Sequence, residues 1–201
     1  MGCPCNNGKH ACSGFEVSNM GSRVFLTVAI DGAQVGQIRI ELLDTDVPKA
    51  AENFRALCTG DVKCAKAGAP GEGNLSFKGS RFHRILDGCA IQGGDIMRGD
   101  GSDGWSIYGH TFPDEKIQLS NRVRQTHSRA GTVSVAALRG AHTNSSQFFI
   151  TTNPARHLDG AHIVIGHVYD GLDVARQVER LPVDSNDAPY ADVRVEECGM
   201  L

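Results

Sequence analysis

The stretch 77–95, FKGSRFHRILDGCAIQGGD, holds the residues best placed to do chemistry: a cation at Arg84, an amide at Gln92 and the glycine pair Gly93-Gly94. Glycines inside a strand pattern mark a bulge or a close backbone approach, so the pair predicts the floor of a groove. Side chains of an extended chain alternate between faces, which puts Phe82, Arg84 and Leu86 on one side and His83 and Ile85 on the other. Arg84 is then expected among apolar neighbours. Alone, an arginine in a strand reads as a solvated edge charge. Gln92 and the two glycines beside it weaken that reading and point to a groove.

The elements that must position these residues are mostly strands. Val24, Leu26, Val28 and Ile30 alternate before Asp31-Gly32, and Ile38, Ile40 and Leu42 alternate after it, which predicts a hairpin over 24–43. Pro48 and the recurrence of Ala50, Ala51, Phe54 and Leu57 predict a helix that ends at Cys58-Thr59-Gly60. Residues 61–76 have no period and read as an exposed loop carrying Cys64. The glycine-rich run 98–109 lacks the strand-to-helix context of a phosphate or dinucleotide fingerprint. Buried strands are expected at 132–137, 146–151 and 162–168, a second helix at about 172–181, and a closing strand at 193–197. Many short strands with two helices predict a closed antiparallel barrel, which leaves no sheet edge.

Composition narrows the function class. At 201 residues the chain is long enough for one domain with a sizeable core. Its net charge is −3, and lysine and arginine are scattered, so nucleic acid is not the implied partner. No apolar run approaches the roughly 20 residues of a membrane span. Seven cysteines at irregular spacing argue for a reducing compartment and against a disulfide framework.

Five segments then carry a resemblance: Phe82-His83-Arg84-Ile85, Gln92-Gly93-Gly94-Asp95, Ser106-Ile107-Tyr108-Gly109, Ser146-Gln147-Phe148-Phe149-Ile150 and Leu158-Asp159-Gly160-Ala161-His162. In content and order they resemble the signature segments of the cyclophilins, over about residues 23–199. The resemblance implies a mainly β fold, a closed eight-stranded antiparallel barrel capped by two α-helices. It also implies peptidyl-prolyl cis-trans isomerase activity without cofactor or metal, acting on proline-containing peptides and client proteins as a monomer. The long 61–76 loop resembles the divergent-loop type, and the stretch 117–129 also looks expanded.

The resemblance assigns roles to particular residues. Rotation about the peptide bond is opposed by a barrier of about 18–20 kcal/mol, which arises from resonance of the nitrogen lone pair. A guanidinium that donates to the prolyl nitrogen localises that pair and favours the twisted state. Arg84 matches that group, and Gln92 matches the amide that orients it and contacts substrate. Phe149 matches a wall of the proline pocket, and His162 borders it. As isolated residues, Phe149 would read as core and His162 as a surface histidine.

Departures from the family pattern set a second expectation. Cys89 stands where a pocket phenylalanine is usual and Ala90 where methionine is usual. His157 replaces a tryptophan that helps bind cyclosporin, and Ala136 is followed by Ala137 where asparagine is expected. A pocket pared down in this way predicts weak cyclosporin binding, since each lost large contact can remove about 1.5–3 kcal/mol. The alternative reading is a proline-peptide binding or scaffolding module with weak or no catalysis.

Residues 1–22 have little periodic apolar content and read as a flexible tail before a domain at 23–201. The cytoplasm is the expected location. Myristate at Gly2 with palmitate at Cys3 and Cys5 would anchor the chain to a membrane, although Asn6 stands where the myristoylation pattern wants Ser or Thr. A metal cluster of Cys3, Cys5, His10 and Cys12 matches no standard zinc spacing.

Overall fold

A computed structural model describes residues 21–115, 125–138 and 140–201. The tail residues Gly2, Cys3, Cys5, His10 and Cys12, and most of the 117–129 stretch, lie outside the described residues.

The first hairpin joins β1 (Arg23–Ile30) to β2 (Ala33–Leu42). Asp31 and Gly32 supply the two positive φ values, 50° and 79°, of a tight hairpin turn. Ser22 already belongs to the barrel, since its carbonyl accepts the Leu42 N–H at 2.8 Å. Helix α1 (Pro48–Thr59) follows, and Gly60 ends it in the left-handed conformation with its N–H on the Ala56 carbonyl. At the other end, Glu115 receives the N–H groups of Lys49 and Ala50 at 2.9 and 2.7 Å, satisfying donors that a helix start leaves unpaired.

The 61–76 segment is not a structureless loop. It contains a two-stranded pair, β3 (Val62–Lys63) with β4 (Asn74–Leu75), and a single-turn helix α2 (Cys64–Ala67) between them. Cys64 is buried, with Ala67, Ala69 and Leu75 packed into the same core. Apolar contacts that a period count over so short a piece misses account for the difference.

The remaining strands are β5 (Arg81–Leu86), β6 (Ala90–Asp95), β7 (Thr132–Val135), β8 (Phe148–Thr151), β9 (Val164–Asp170) and β10 (Val193–Met200), with helix α3 (Leu172–Glu179) between the last two. They close into an eight-stranded barrel in the order β1-β10-β5-β6-β8-β7-β9-β2, with every neighbouring pair antiparallel. Helix α1 packs against β1, β9 and β10, and α3 against β2, β5 and β6. The core holds Phe54, Phe77, Phe82 and Phe148, whose ring centroids lie 4.9–5.9 Å apart in tilted and edge-on contacts.

Strict alternation does not hold along β5. Phe82 and Ile85 are both buried at 1 % exposure, while Arg84 points to solvent. Pairing steps from Arg81↔Asp95 to Phe82↔Gly93 and then to Arg84↔Gln92, so Gly94 is extra on β6 and His83 is extra on β5. Each is a bulge, and the second turns Arg84 away from the apolar side. Gly94 takes φ 85°, and a Cβ there would sit 2.5 Å from the Ser146 carbonyl oxygen. The glycine pair is therefore buried in the β5–β6–β8 sheet rather than forming a groove floor.

Candidate active site

Register sets out the site as a row across four strands. Arg84 on β5 opposes Gln92 on β6, Gln92 opposes Phe149 on β8, and Phe149 opposes Ser134 on β7. One residue further along, Ile85, Ile91, Ile150 and Val133 form the alternate row and are fully buried. Burial of that isoleucine-rich row fixes the register, because a one-residue slip would exchange the two faces. With strands about 4.8 Å apart, Arg84 and Phe149 stand about 10 Å from each other. That distance spans roughly three residues of an extended peptide, at 3.3 Å or so per residue.

All nine residues singled out in the sequence meet at one place. Arg84, Cys89, Ala90, Gln92, Ala136, Ala137, Phe149, His157 and His162 line a single cavity of about 390 Å³. Its apolar floor is Ala90, Ala136 and Phe149, with Cys89 and Leu158 packed against them. Leu158 sits in the quoted Leu158–His162 segment without having been assigned a role. Gln147 and Gly101 also line the cavity.

Arg84 is held differently from expectation. The guanidinium is not oriented by Gln92; its Nε and Nη2 both donate to one oxygen of Asp187, at 3.2 and 2.9 Å. Asp187 lies in a turn with φ 64°, and Asp184 organises that turn by accepting the N–H groups of Asn186 and Ala188. The Asp187 carbonyl accepts the Ile85 N–H at 2.8 Å, so main chain and side chain both bind this turn to β5. The ion pair is nearly half exposed on both sides, 46 % and 42 %.

Gln92 is fixed from its other side. Its Nε2 donates to Gln147 Oε1 at 2.9 Å, and the Gln147 amide donates in turn to the carbonyls of Gly101 and Asp103. Those carbonyls belong to the glycine-rich run, which wraps the Asp95 carboxylate through the N–H groups of Met97, Arg98, Gly101 and Asp103. Through these bonds the run holds the Gln147 amide that accepts from Gln92. The Gln92 Oε1 is left as an acceptor on the cavity side.

Two histidines pack against Phe149. His162 meets it edge-on with centroids 5.1 Å apart, and its Nδ1 donates to the Val135 carbonyl at 3.2 Å. His127, fully buried, stacks on the same ring with centroids 5.7 Å apart. Its Nδ1 pairs with Asp159 at 3.0 Å and its Nε2 with Ser134 Oγ at 2.8 Å. Burial holds the His127 pKa below its ordinary value. The His127 backbone N–H, together with its ring, holds the Asp159 carboxyl below the usual range. Asp159 therefore accepts from Nδ1–H, and Ser134 donates to Nε2. This is the hydrogen-bond order of a nucleophilic triad, but Ser134 has no exposed surface and offers no nucleophile. The chain of bonds instead ties the Arg156–Leu158 turn to β7.

The closed antiparallel barrel presents a guanidinium, an amide and an aromatic ring in one row along the cavity, on a cyclophilin-like fold. Residues 25–200 match the family described as cyclophilin type peptidyl-prolyl cis-trans isomerase/CLD, and the chain belongs to it. Among its relatives, peptidyl-prolyl cis-trans isomerase cyp11 of Rhizopus delemar is 47 % identical over 89 % of this chain and 50 % of that protein. Peptidyl-prolyl cis-trans isomerase 9 of Caenorhabditis elegans is 45 % identical over 89 % of this chain and 55 % of that protein. The human NK-tumor recognition protein is 45 % identical over 87 % of this chain and 11 % of its own length. The chain thus spans about half, or much less, of the curated relatives it matches.

Proposed function

We propose that this domain is a cofactor-independent peptidyl-prolyl cis-trans isomerase acting on Xaa-Pro bonds of peptides and client proteins. The observation that carries the reading is the row Arg84–Gln92–Phe149 above a buried isoleucine row. Phe149 seats the proline ring, with the Ala90 and Ala136 surface beneath it. The Gln92 Oε1 accepts a substrate N–H and sets the peptide's direction. Arg84 donates to the prolyl nitrogen as it pyramidalises, an interaction stronger in the twisted state than in either planar one. No proton is transferred, so His162 acts as a wall.

The arginine must share its charge. Each N–H that Arg84 gives to Asp187 is withheld from substrate, and this favours a modest rate. The same pair, with Cys89 and Ala90 in the cleft, supports the second reading of a proline-peptide binding module with weak catalysis. Turnover of a short Xaa-Pro peptide separates the two: measurable exchange at enzyme levels far below substrate supports the isomerase, and saturable binding without exchange supports the module.

Weak cyclosporin binding and a monomeric state belong to the same reading. His157 is exposed at the cleft and offers less apolar surface than an indole. For location we propose the cytoplasm, with membrane attachment only through acylation of Gly2, Cys3 and Cys5. Intact mass of the protein from its native cell tests this, and an N-terminus without acyl mass removes the membrane.

A further inference from the structure

A second cavity, of about 330 Å³, opens beside the start of β5, away from the row that carries Arg84. Four cations line it: Lys78, Arg81, Arg98 and Arg194. Ser80 lines it too and is 93 % buried, yet its Oγ has no hydrogen-bond partner. A buried hydroxyl without a partner costs about 1–3 kcal/mol, so the position calls for an acceptor.

Each cation has a carboxylate within 4.0 Å, but the pairing is uneven. Arg81 Nε and Arg194 Nε each lie 2.7 Å from a different oxygen of Asp192, so one carboxylate serves two guanidiniums. Arg194 also gives an Nη1 hydrogen to the Gly79 carbonyl. Arg98 reaches Asp103 only at 3.7 Å, and Lys78 reaches Glu197 only at 4.0 Å. Asp95 lines the cavity as well, but both its oxygens are occupied by backbone N–H groups of the following loop. The cavity lining therefore sets four cations against the single carboxylate of Asp95, with Asp192, Asp103 and Glu197 just outside it, and it keeps guanidinium hydrogens that Asp192 does not use and one hydroxyl without a partner.

We propose that this cavity is an anion site that takes a phosphoryl group, either free phosphate or the phosphate of a phosphorylated side chain. Several donors converging from different sides need an acceptor with oxygens in several directions, which a tetrahedral phosphate supplies and a planar carboxylate does not. Guanidinium groups match phosphate oxygens bidentately, and the unpartnered Ser80 hydroxyl stands in the wall of the same cavity. Arg81 lies three residues before Arg84 on β5, about 10 Å along the strand. A phosphorylated residue bound here thus holds a peptide within a few residues' reach of the cleft. The site itself is independent of the isomerase reading.

The test is an NMR titration of the full chain with inorganic phosphate and, separately, with a short phosphoserine peptide, at matched ionic strength. Saturable shifts centred on Ser80, Arg81, Arg98 and Arg194, weakened about tenfold by Arg98→Gln and by Ser80→Ala, are expected. The exposed Arg98→Gln keeps the test valid if Ser80→Ala fails to fold. Equal affinity for the two probes identifies the free ion as the ligand, and tighter peptide binding identifies the phosphorylated chain. Shifts that do not saturate, or that both variants leave unchanged, overturn the site.

Discussion

Arg84 and Asp187, 103 residues apart in the chain, meet through two hydrogen bonds to a single carboxylate oxygen. A nearly half-exposed pair of this kind contributes at most about 1 kcal/mol, so substrate can draw the guanidinium away from it. Asp187→Asn is expected to raise kcat/KM by up to about fivefold, since the arginine no longer divides its charge. The gain should shrink as salt rises, because screening already weakens the pair in the parent protein. A fall in kcat/KM would mean that Asp187 positions the arginine instead of competing for it.

His157 is exposed and lines the cleft together with Leu158 and Phe149. His157→Trp adds apolar surface there and should tighten cyclosporin binding by roughly 1–2 kcal/mol, about tenfold. Calorimetric titration of both proteins measures it. Tight binding by the parent protein would show that Leu158 and Cys89 already fill the space.

Stability should fall as pH drops below about 6.5. Burial lowers the pKa of His83 and of His127 in the folded protein, so between the folded value and the ordinary value near 6.5 the unfolded chain binds more protons. Their contribution is fully present above that range and is lost as pH falls through it. Asp103, Asp159 and Asp192, all held low by hydrogen-bonding partners, add a second loss below about pH 4. Urea midpoints between pH 7 and 5 check the first phase, and His127→Gln should flatten it. An unchanged slope in the variant would remove His127 from the account.

Gly94→Ala should destabilise far more than Gly88→Ala. Both positions have positive φ, so both variants carry strain of about 1–2 kcal/mol. Only at position 94 does a Cβ also meet the Ser146 carbonyl and the Phe148 ring, while nothing lies within 4 Å of it at position 88. Thermal melting of the two variants reads the difference, and equal shifts would contradict the bulge as described.

Much of this architecture is legible in the chain because it rests on local signals. The β1–β2 hairpin follows from alternation around Asp31-Gly32, α1 from Pro48 and Gly60, and the cleft residues from short segments that keep their order. What escapes is set by partners distant in sequence. Nothing near Arg84 announces Asp187, whose approach depends on a turn built by Asp184. The His83 bulge breaks a period-2 pattern that the residue types alone support, so Arg84 reads as sharing a face with Phe82 when it does not. His127 carries no motif, and its importance comes from Phe149, Asp159 and Ser134 converging on it. Cys64 reads as exposed because its burial comes from the small β3–β4 unit folding back on the core.

Under the proposed function, Arg84 lowers the barrier to rotation while the rest of the row binds the peptide. Exchange NMR on a short Xaa-Pro peptide, with the parent protein and Arg84→Ala at equal concentration, tests it most directly. Exchange broadening of the cis and trans signals is expected with the parent protein. With Arg84→Ala that broadening should be lost, while peptide-induced shifts at Gln92 and Phe149 persist. Equal exchange rates in the two proteins would contradict it.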